Sequence, residues 1–543
     1  MTGANPYAYP LLVKRLLQNP IVSAPDQEIV YRGVRRHTYR DLHARVGRLA
    51  NALERLGVGA GDTVAVMDWD SHRYLECFFA VPMMGAVLHT INVRLSPEQI
   101  LFTIEHAEDD VLLVNAEFLP ILEQIRGRLS NVKKIVLLVD DDHKAPATTV
   151  PVDGEYEALL AAEAPERAFP DLPEDTRATT FYTTGTTGLP KGVFFTHRQL
   201  VLHTLGVLAV LSTTESQGRF HRGDVYMPLT PMFHVHAWGL PYVATMLGVK
   251  QVYPGKYAPD HLLQLIAREK VTLSHCVPTI LHMLLRTPGS EKVDLRGWKV
   301  LVGGAAMPTA LCKAALERGV DAFAGYGMSE TCPVLTLAQL DPADLALPLD
   351  EQAELRCRTG RPLPLVDIRV AGDRLESLPR DGKSTGELVV RAPWLTQGYL
   401  KEEKASERLW AGGWLHTGDV AWQDGRGYVK ITDRTKDVIK IGGEWISSLE
   451  LEDVIGRHAA VAEVAVVGLP DAKWGEKPLA LVVKKPGATV DEKALRHHAH
   501  AYVEKGVVNR GALLLEIRFV DAIDKTSVGK VNKVALRQKH AGA

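Results

Sequence analysis

Residues 179–197 read Thr-Thr-Phe-Tyr-Thr-Thr-Gly-Thr-Thr-Gly-Leu-Pro-Lys-Gly-Val-Phe-Phe-Thr-His, and the types are those of an anion cradle. The hydroxyls of Thr183, Thr184, Thr186 and Thr187 are donors, and Gly185 and Gly188 let backbone N–H groups approach closely. Lys191 adds an ammonium. The β-branched and aromatic residues Thr179 to Tyr182 predict a strand running into this loop, with a helix from about Arg198. Such a loop is built to hold a polyphosphate. It is not a Walker loop, because Lys191 follows Pro190 and precedes Gly192 rather than Ser or Thr. No G-x-G-x-x-G dinucleotide fingerprint occurs either. A bare Thr/Gly surface turn is the bland alternative, and the length of the stretch together with its Pro-Lys-Gly close argues against it.

Thr183 to Gly192 resembles the phosphate loop of the adenylate-forming (AMP-binding) superfamily, whose members include acyl-CoA synthetases, luciferases and peptide-synthetase adenylation domains. Further stretches carry the same resemblance. Gly325-Tyr326-Gly327-Met328-Ser329-Glu330-Thr331 matches the superfamily's Y-G-x-[ST]-E signature. Tyr326 offers a flat face to adenine, Glu330 is an oxygen ligand suited to Mg²⁺ on the triphosphate, and Thr331 is a donor for the α-phosphate. Thr186 of the loop is the second residue expected beside the metal. Gly303-Gly304-Ala305-Ala306-Met307-Pro308 matches a strand-end segment where small residues let adenine and acyl group lie against backbone, with Gly304 and Ala305 toward the nucleotide and Gly303 toward the acyl group. A close helix–sheet contact would explain these glycines equally well.

In Thr417-Gly418-Asp419 the carboxylate is placed to accept both ribose hydroxyls, and Arg434 would meet the same ribose. The resemblance makes Lys436 a hinge and Gly442-Gly443-Glu444-Trp445 the loop beside the pantetheine of coenzyme A. It makes Lys530, in Asp524-Lys525-Thr526-Ser527-Val528-Gly529-Lys530, the adenylation lysine, although Asp524 stands where the family usually has proline. The family's proline-bearing approach to this segment is not recognisable in Val503 to Leu515. In Phe233-His234-Val235-His236-Ala237-Trp238, the resemblance puts His234 beside the carboxylate and Val235 and Trp238 against the acyl chain. Trp238 resembles the indole gate of bacterial fatty acyl-CoA synthetases, and core packing is an equal alternative for it.

These residues need elements to hold them. Thr38 can cap a helix whose apolar residues Leu42, Val46, Leu49, Leu53 and Leu56 recur at helical spacing, ended by Gly57. Strands 64–67, 87–91, 111–115 and 134–140 alternate with helices 97–107 and 117–128. After the loop come strands 271–277, 299–303 and 320–324. Such alternation predicts parallel α/β layers, with ligands at the strands' carboxyl ends. From Val366 the texture turns to strands and turns, including Val366 to Val370, Gly386 to Arg391 and a hairpin at Asp424-Gly425-Arg426-Gly427. The charged segment 433–437 is a linker. The expected fold is α/β: a large multi-layer N-terminal domain, 1–432, and a small mobile C-terminal α+β domain, 438–543. The latter has helices near 447–457 and 491–505 and strands near 462–468 and 478–484. His497, His498 and His500 read as a solvated helix face rather than a metal site.

At 543 residues the chain is too long for one core. A net charge of −2 gives no support for a nucleic-acid surface. Five scattered cysteines without a C-x-x-C pair fit a reducing compartment. No secretory signal or membrane-spanning run is evident, so a cytoplasmic enzyme is expected, with peripheral membrane contact left open. The resemblance implies ATP-dependent ligation of a carboxylic acid, a medium- or long-chain fatty acid first, to coenzyme A, by a homodimer that uses Mg²⁺. An aryl or branched short acid, or loading of a carrier protein, is the runner-up.

Overall fold

The computed structural model describes residues 8–140, 146–183, 189–441, 444–505, 508–526 and 529–541. Two large sheets make up most of the N-terminal part. One has seven strands in the order Gly154–Glu155, Lys134–Leu138, Val111–Asn115, Thr63–Met67, Val87–Thr90, Arg177–Tyr182, Gly192–Thr196. All pairs are parallel except the last, a hairpin closed over the phosphate loop. The other has nine strands, with a parallel centre running from Asp321–Gly327 through Lys299–Val302, Leu273–Cys276, Val225–Leu229 and Lys250–Tyr253 to Glu28–Tyr31. Its edges are antiparallel. Strands such as Thr63–Met67 and Val111–Asn115 are buried along their whole length, as parallel strands covered on both faces must be.

Local signals behave as the sequence implies. Thr38 and Asp41 form a reciprocal capping box at the start of the Tyr39–Arg55 helix. The hairpin at 424–427 joins Leu415–Gln423 to Val429–Arg434 in a four-stranded antiparallel sheet with Asp367–Ala371 and Gly386–Arg391.

Two elements go unpredicted and one expectation needs correction. The helix expected from about Arg198 is His197–Thr213, which starts on a Thr196–Gln199 capping box, but the Gly192–Thr196 strand between the loop and this helix goes unpredicted. The His72–Met83 helix goes unpredicted because all twelve of its residues are buried, which leaves no amphipathic period to read. The histidines of the Glu492–Glu504 helix do not form one solvated face either. His497 is exposed, but His498 is half-buried, its Nε2 within 3.0 Å of the Val454 carbonyl and its ring edge-on to His458.

The C-terminal domain has its own sheet, Glu444–Ile446, Ile439–Ile441, Gly475–Lys484 and Val461–Asp471, with Glu516–Phe519 added in parallel to Gly475–Lys484. Its apolar core includes Ile439, Leu451, Val466, Val482 and Leu495. The approach to the C-terminal tail is a 3₁₀ turn, Arg510–Leu514, followed by that added strand.

Candidate active site

Elements from both domains meet at one small pocket. Its walls include Trp238, Val235, Leu301, Gly303, Gly304, Met328 and Val334, with His234, Tyr326 and Lys530 as polar groups. The strands Lys299–Val302 and Asp321–Gly327 end here, at the carboxyl edge of the parallel sheet.

The glycines at these strand ends are steric requirements. A Cβ on Gly327 would lie 1.8 Å from the Pro333 carbonyl oxygen. One on Gly303 would meet Gly325 O at 2.9 Å and the Trp238 ring at 3.1 Å, and one on Gly304 would meet Lys530 Cε at 3.3 Å. Gly304, at φ 76°, therefore gives the Lys530 stem room to reach the pocket. Ala305, the next residue, is exposed and does not line it. Lys530 follows a tight turn in which Thr526 N–H donates to the Lys530 carbonyl at 2.7 Å. Burial, then Arg434, lowers the ammonium pKa to about 8, against the pull of Asp419 and Glu330.

Asp419 and Arg434, expected on the ribose, are joined at 3.3 Å. The Tyr326 phenol donates to the other Asp419 oxygen at 2.6 Å, so this ring carries a hydrogen bond as well as a flat face. Burial pushes the Asp419 carboxyl up, opposed by Arg434, by the phenol and by Lys530. Lys436 lies on the exposed segment just beyond, its carbonyl accepting from Arg537.

Of the phosphate loop, the two ends are described: Thr183 N–H donates to Lys191 O at 2.9 Å, and Lys191 N–H to the Thr183 hydroxyl at 3.2 Å. Thr184, Gly185, Thr186, Thr187 and Gly188 lie outside the described residues, as do Gly442 and Gly443. Glu444 and Trp445 belong to the strand that pairs with Ile439–Ile441.

The sequence reading passed over Tyr399. Its phenol donates to Glu330 Oε1 at 2.6 Å, and Lys191 Nζ lies 4.7 Å from its ring centroid. The adjacent Leu400 N–H donates to Gly192 O at 2.8 Å, tying this segment to the loop's exit strand. One aromatic residue thus joins the expected metal carboxylate to the phosphate-loop lysine. The only local hint was a Gly398-Tyr399 pair in a polar stretch. Glu330 fits a hard divalent ion that draws its other ligands from water and phosphate. Thr331 does not reach the pocket here: it is fully buried, its hydroxyl held by the Met328 and Pro333 carbonyls, and it closes the turn after Glu330.

Val235, His236, Ala237 and Trp238 form a left-handed turn at φ 48°, 53°, 48° and 58°, completed by Gly239 at 73°. Each non-glycine residue there costs roughly 1–2 kcal/mol. Side chains distant in sequence hold the turn and the two residues that lead into it. Asp70 accepts from Met232 N–H at 2.7 Å, Thr90 donates to Phe233 O at 2.9 Å, and the Thr179 hydroxyl lies 2.6 Å from His236 Nε2. Since the Thr179 hydroxyl donates to Leu88 O, His236 is the donor in that last pair. The turn sets His234 and Trp238 on the pocket wall. Burial, then Lys530 and Arg94, lowers the His234 pKa to about 3, so its imidazole is neutral at physiological pH. Trp238 is 6% exposed, its ring 5.0 Å from that of His275.

Residues 18–400 match the model of the AMP-binding enzyme family, and residues 450–530 match that of the AMP-binding enzyme C-terminal domain. A long-chain-fatty-acid–CoA ligase of Thermus thermophilus is 42% identical over 93% of this chain and 91% of its own length. A 3-methylmercaptopropionyl-CoA ligase of Ruegeria pomeroyi is 39% identical over 93% of this chain and 92% of its own. Among solved structures, the anthranilate CoA ligase AuaEII in complex with anthranoyl-AMP superposes with a TM-score of 0.84 at 25% identity, covering 98% of each chain. By these matches the chain belongs to the AMP-binding enzyme family and is an acid–thiol ligase of the acyl-CoA synthetase kind.

Proposed function

We propose that the protein joins a medium- or long-chain fatty acid to coenzyme A at the expense of ATP. The observation that carries this reading is the pocket itself, in which apolar walls from Trp238, Val235, Leu301 and Val334 meet the Lys530 ammonium. That arrangement suits a hydrocarbon tail with its carboxylate turned toward a cation. The carboxylate oxygen attacks the α-phosphorus of ATP, the bond to the bridging oxygen breaks, and diphosphate leaves. Lys191 and Lys530 stabilise the charge gathering on phosphate oxygens, while Asp419 and Arg434 hold the ribose. Glu330 would hold Mg²⁺, which would supply further charge neutralisation on the phosphates.

In this reading the chain divides into 1–432, a linker 433–437 whose first two residues continue the Val429–Arg434 strand, and 438–543. Supporting the division, Val429–Arg434 is the last strand of the N-terminal sheets and Ile439–Ile441 opens a separate one. The small domain turns about Lys436, withdraws Lys530 and brings Gly442 to Trp445 to the acyl-adenylate. The CoA thiolate then attacks the acyl carbonyl and AMP leaves. The assembly is a homodimer through the N-terminal part, which sedimentation at micromolar concentration tests. Its compartment is the cytoplasm, in keeping with five free cysteines; among the described residues no helix is long and apolar enough to cross a membrane.

A shorter acid is the second reading, favoured by the Trp238 indole on the pocket wall and by the 3-methylmercaptopropionyl-CoA ligase relatives. Diphosphate release measured across acids from propionate to palmitate, with cinnamate and benzoate, decides between them. A maximum at the aryl acids, or none above propionate, overturns the fatty-acid assignment.

A further inference from the structure

Lys530 enters the pocket from the C-terminal domain, so something must hold that domain in the orientation that delivers it. Between the domains runs a continuous buried polar chain. Asp433, 2% exposed, lies on the Val429–Arg434 strand, its backbone fixed opposite Val420 in the N-terminal part. Its Oδ2 accepts from Ser448 N–H at 2.6 Å and from the Ser448 hydroxyl at 2.7 Å. Ser448, fully buried, is the first residue of the Ser448–Gly456 helix of the C-terminal domain. The Ser448 hydroxyl in turn accepts from Lys533 Nζ at 2.6 Å, and the same ammonium pairs with Glu452 at 2.8 Å. Lys533 stands three residues after Lys530, at the start of the Lys533–His540 helix. Beside this chain, Ser447 donates to the Thr432 carbonyl.

We propose that Asp433 and Lys533 are positioning residues, the two ends of a lock that docks the C-terminal domain with Lys530 in the pocket. One end, Asp433, belongs to the N-terminal sheet; the other, Lys533, fixes the exit of the turn that carries Lys530. A carboxylate at the N-terminus of a helix, a hydroxyl that both donates and accepts, and an ammonium held between that hydroxyl and the Glu452 carboxylate form a satisfied network. Severing it leaves a buried charge without its partner, so the docked state loses out to undocked ones. This rests on the proposed turning about Lys436. Asp433 lies on the N-terminal side of that residue and Ser448, Lys533 and Glu452 on the other, so each turnover has to open the lock. It therefore favours adenylation and opposes thioester formation.

The two half-reactions test this. In Asp433→Asn and Lys533→Met, acyl-adenylate formation should fall about tenfold or more, the usual scale for losing hydrogen bonds to a charged group. Thioester formation from supplied acyl-adenylate should be kept or should rise. Lys533→Arg, which keeps the charge, should recover part of the adenylation rate. Limited proteolysis of the segment 434–447 should be faster in the two disruptive variants, and this reads docking without activity. A loss of equal size in both half-reactions, or unchanged proteolysis with unchanged rates, overturns the lock. Lys530→Ala, run in parallel, separates this from the wider reading. If it spares adenylation, the role given to Lys530 fails. If it abolishes adenylation while Asp433→Asn and Lys533→Met leave the ratio of half-reactions unmoved, the lock alone fails.

Discussion

Replacing Trp238 by Ala asks whether the indole sets the length of the acyl site. Complete loss of a buried tryptophan from a close-packed core costs about 3–5 kcal/mol. Trp238 is not packed on all sides: one face meets Gly303, Gly304 and His275, and the ring also borders the pocket. Contacts are therefore lost mainly on one side, and the expected destabilisation is about 2–3 kcal/mol. Backbone strain does not confuse the comparison, because Ala at φ 58° is as disfavoured as Trp. The space released joins the pocket and admits more of a chain. Each buried methylene is worth about 0.8 kcal/mol, roughly fourfold in kcat/KM, so three more would move selectivity roughly 60-fold toward longer acids. Binding of a long acid without ATP should strengthen as well. Thermal unfolding, acid binding with and without nucleotide, and diphosphate release from butyrate to palmitate measure these effects. A full core-sized loss of stability with an unmoved chain-length profile would refute the reasoning and make Trp238 a packing residue only.

Two further outcomes follow from the same geometry. Gly327→Ala places a Cβ 1.8 Å from Pro333 O and 2.5 Å from its carbonyl carbon, so backbone must move. Both a lower melting temperature and a loss of ATP affinity are expected, and a variant binding ATP normally by calorimetry would contradict the crowding argument. With its pKa lowered to about 8, Lys530 is cationic below that pH and neutral above it. The adenylation kcat/KM for ATP, which reports groups of the free enzyme, should therefore decline as pH rises through about 8. In Lys530→Arg, whose guanidinium stays charged, any remaining activity should lack this alkaline limb; an identical limb in both would assign the titration to another group.

Much of the architecture was legible because its signals are local. Thr38 ahead of apolar residues at helical spacing announces a helix start, the Asp424 to Gly427 turn announces a hairpin, and Thr183 to Lys191 has the composition of an anion cradle. Strand-end glycines at 303–304 and 325–327 pointed to one edge of one sheet, and the fold brings them to a single pocket. Other features depend on partners far away in the chain. Nothing near Tyr399 says that Glu330, 69 residues earlier, will accept its hydrogen bond. The left-handed turn at Val235 to Trp238 opposes the preference of each of its residues, and distant side chains hold it: Asp70 and Thr90 bind the backbone just before it and Thr179 binds its histidine. The Asp433–Ser448–Lys533 chain spans 100 residues of sequence and reads locally as a charged linker, a helix cap and a basic tail. Residue type and spacing determined which chemistry the chain carries. Where those groups point was decided by long-range pairing, because a buried polar group takes whichever partner the folded packing leaves within reach.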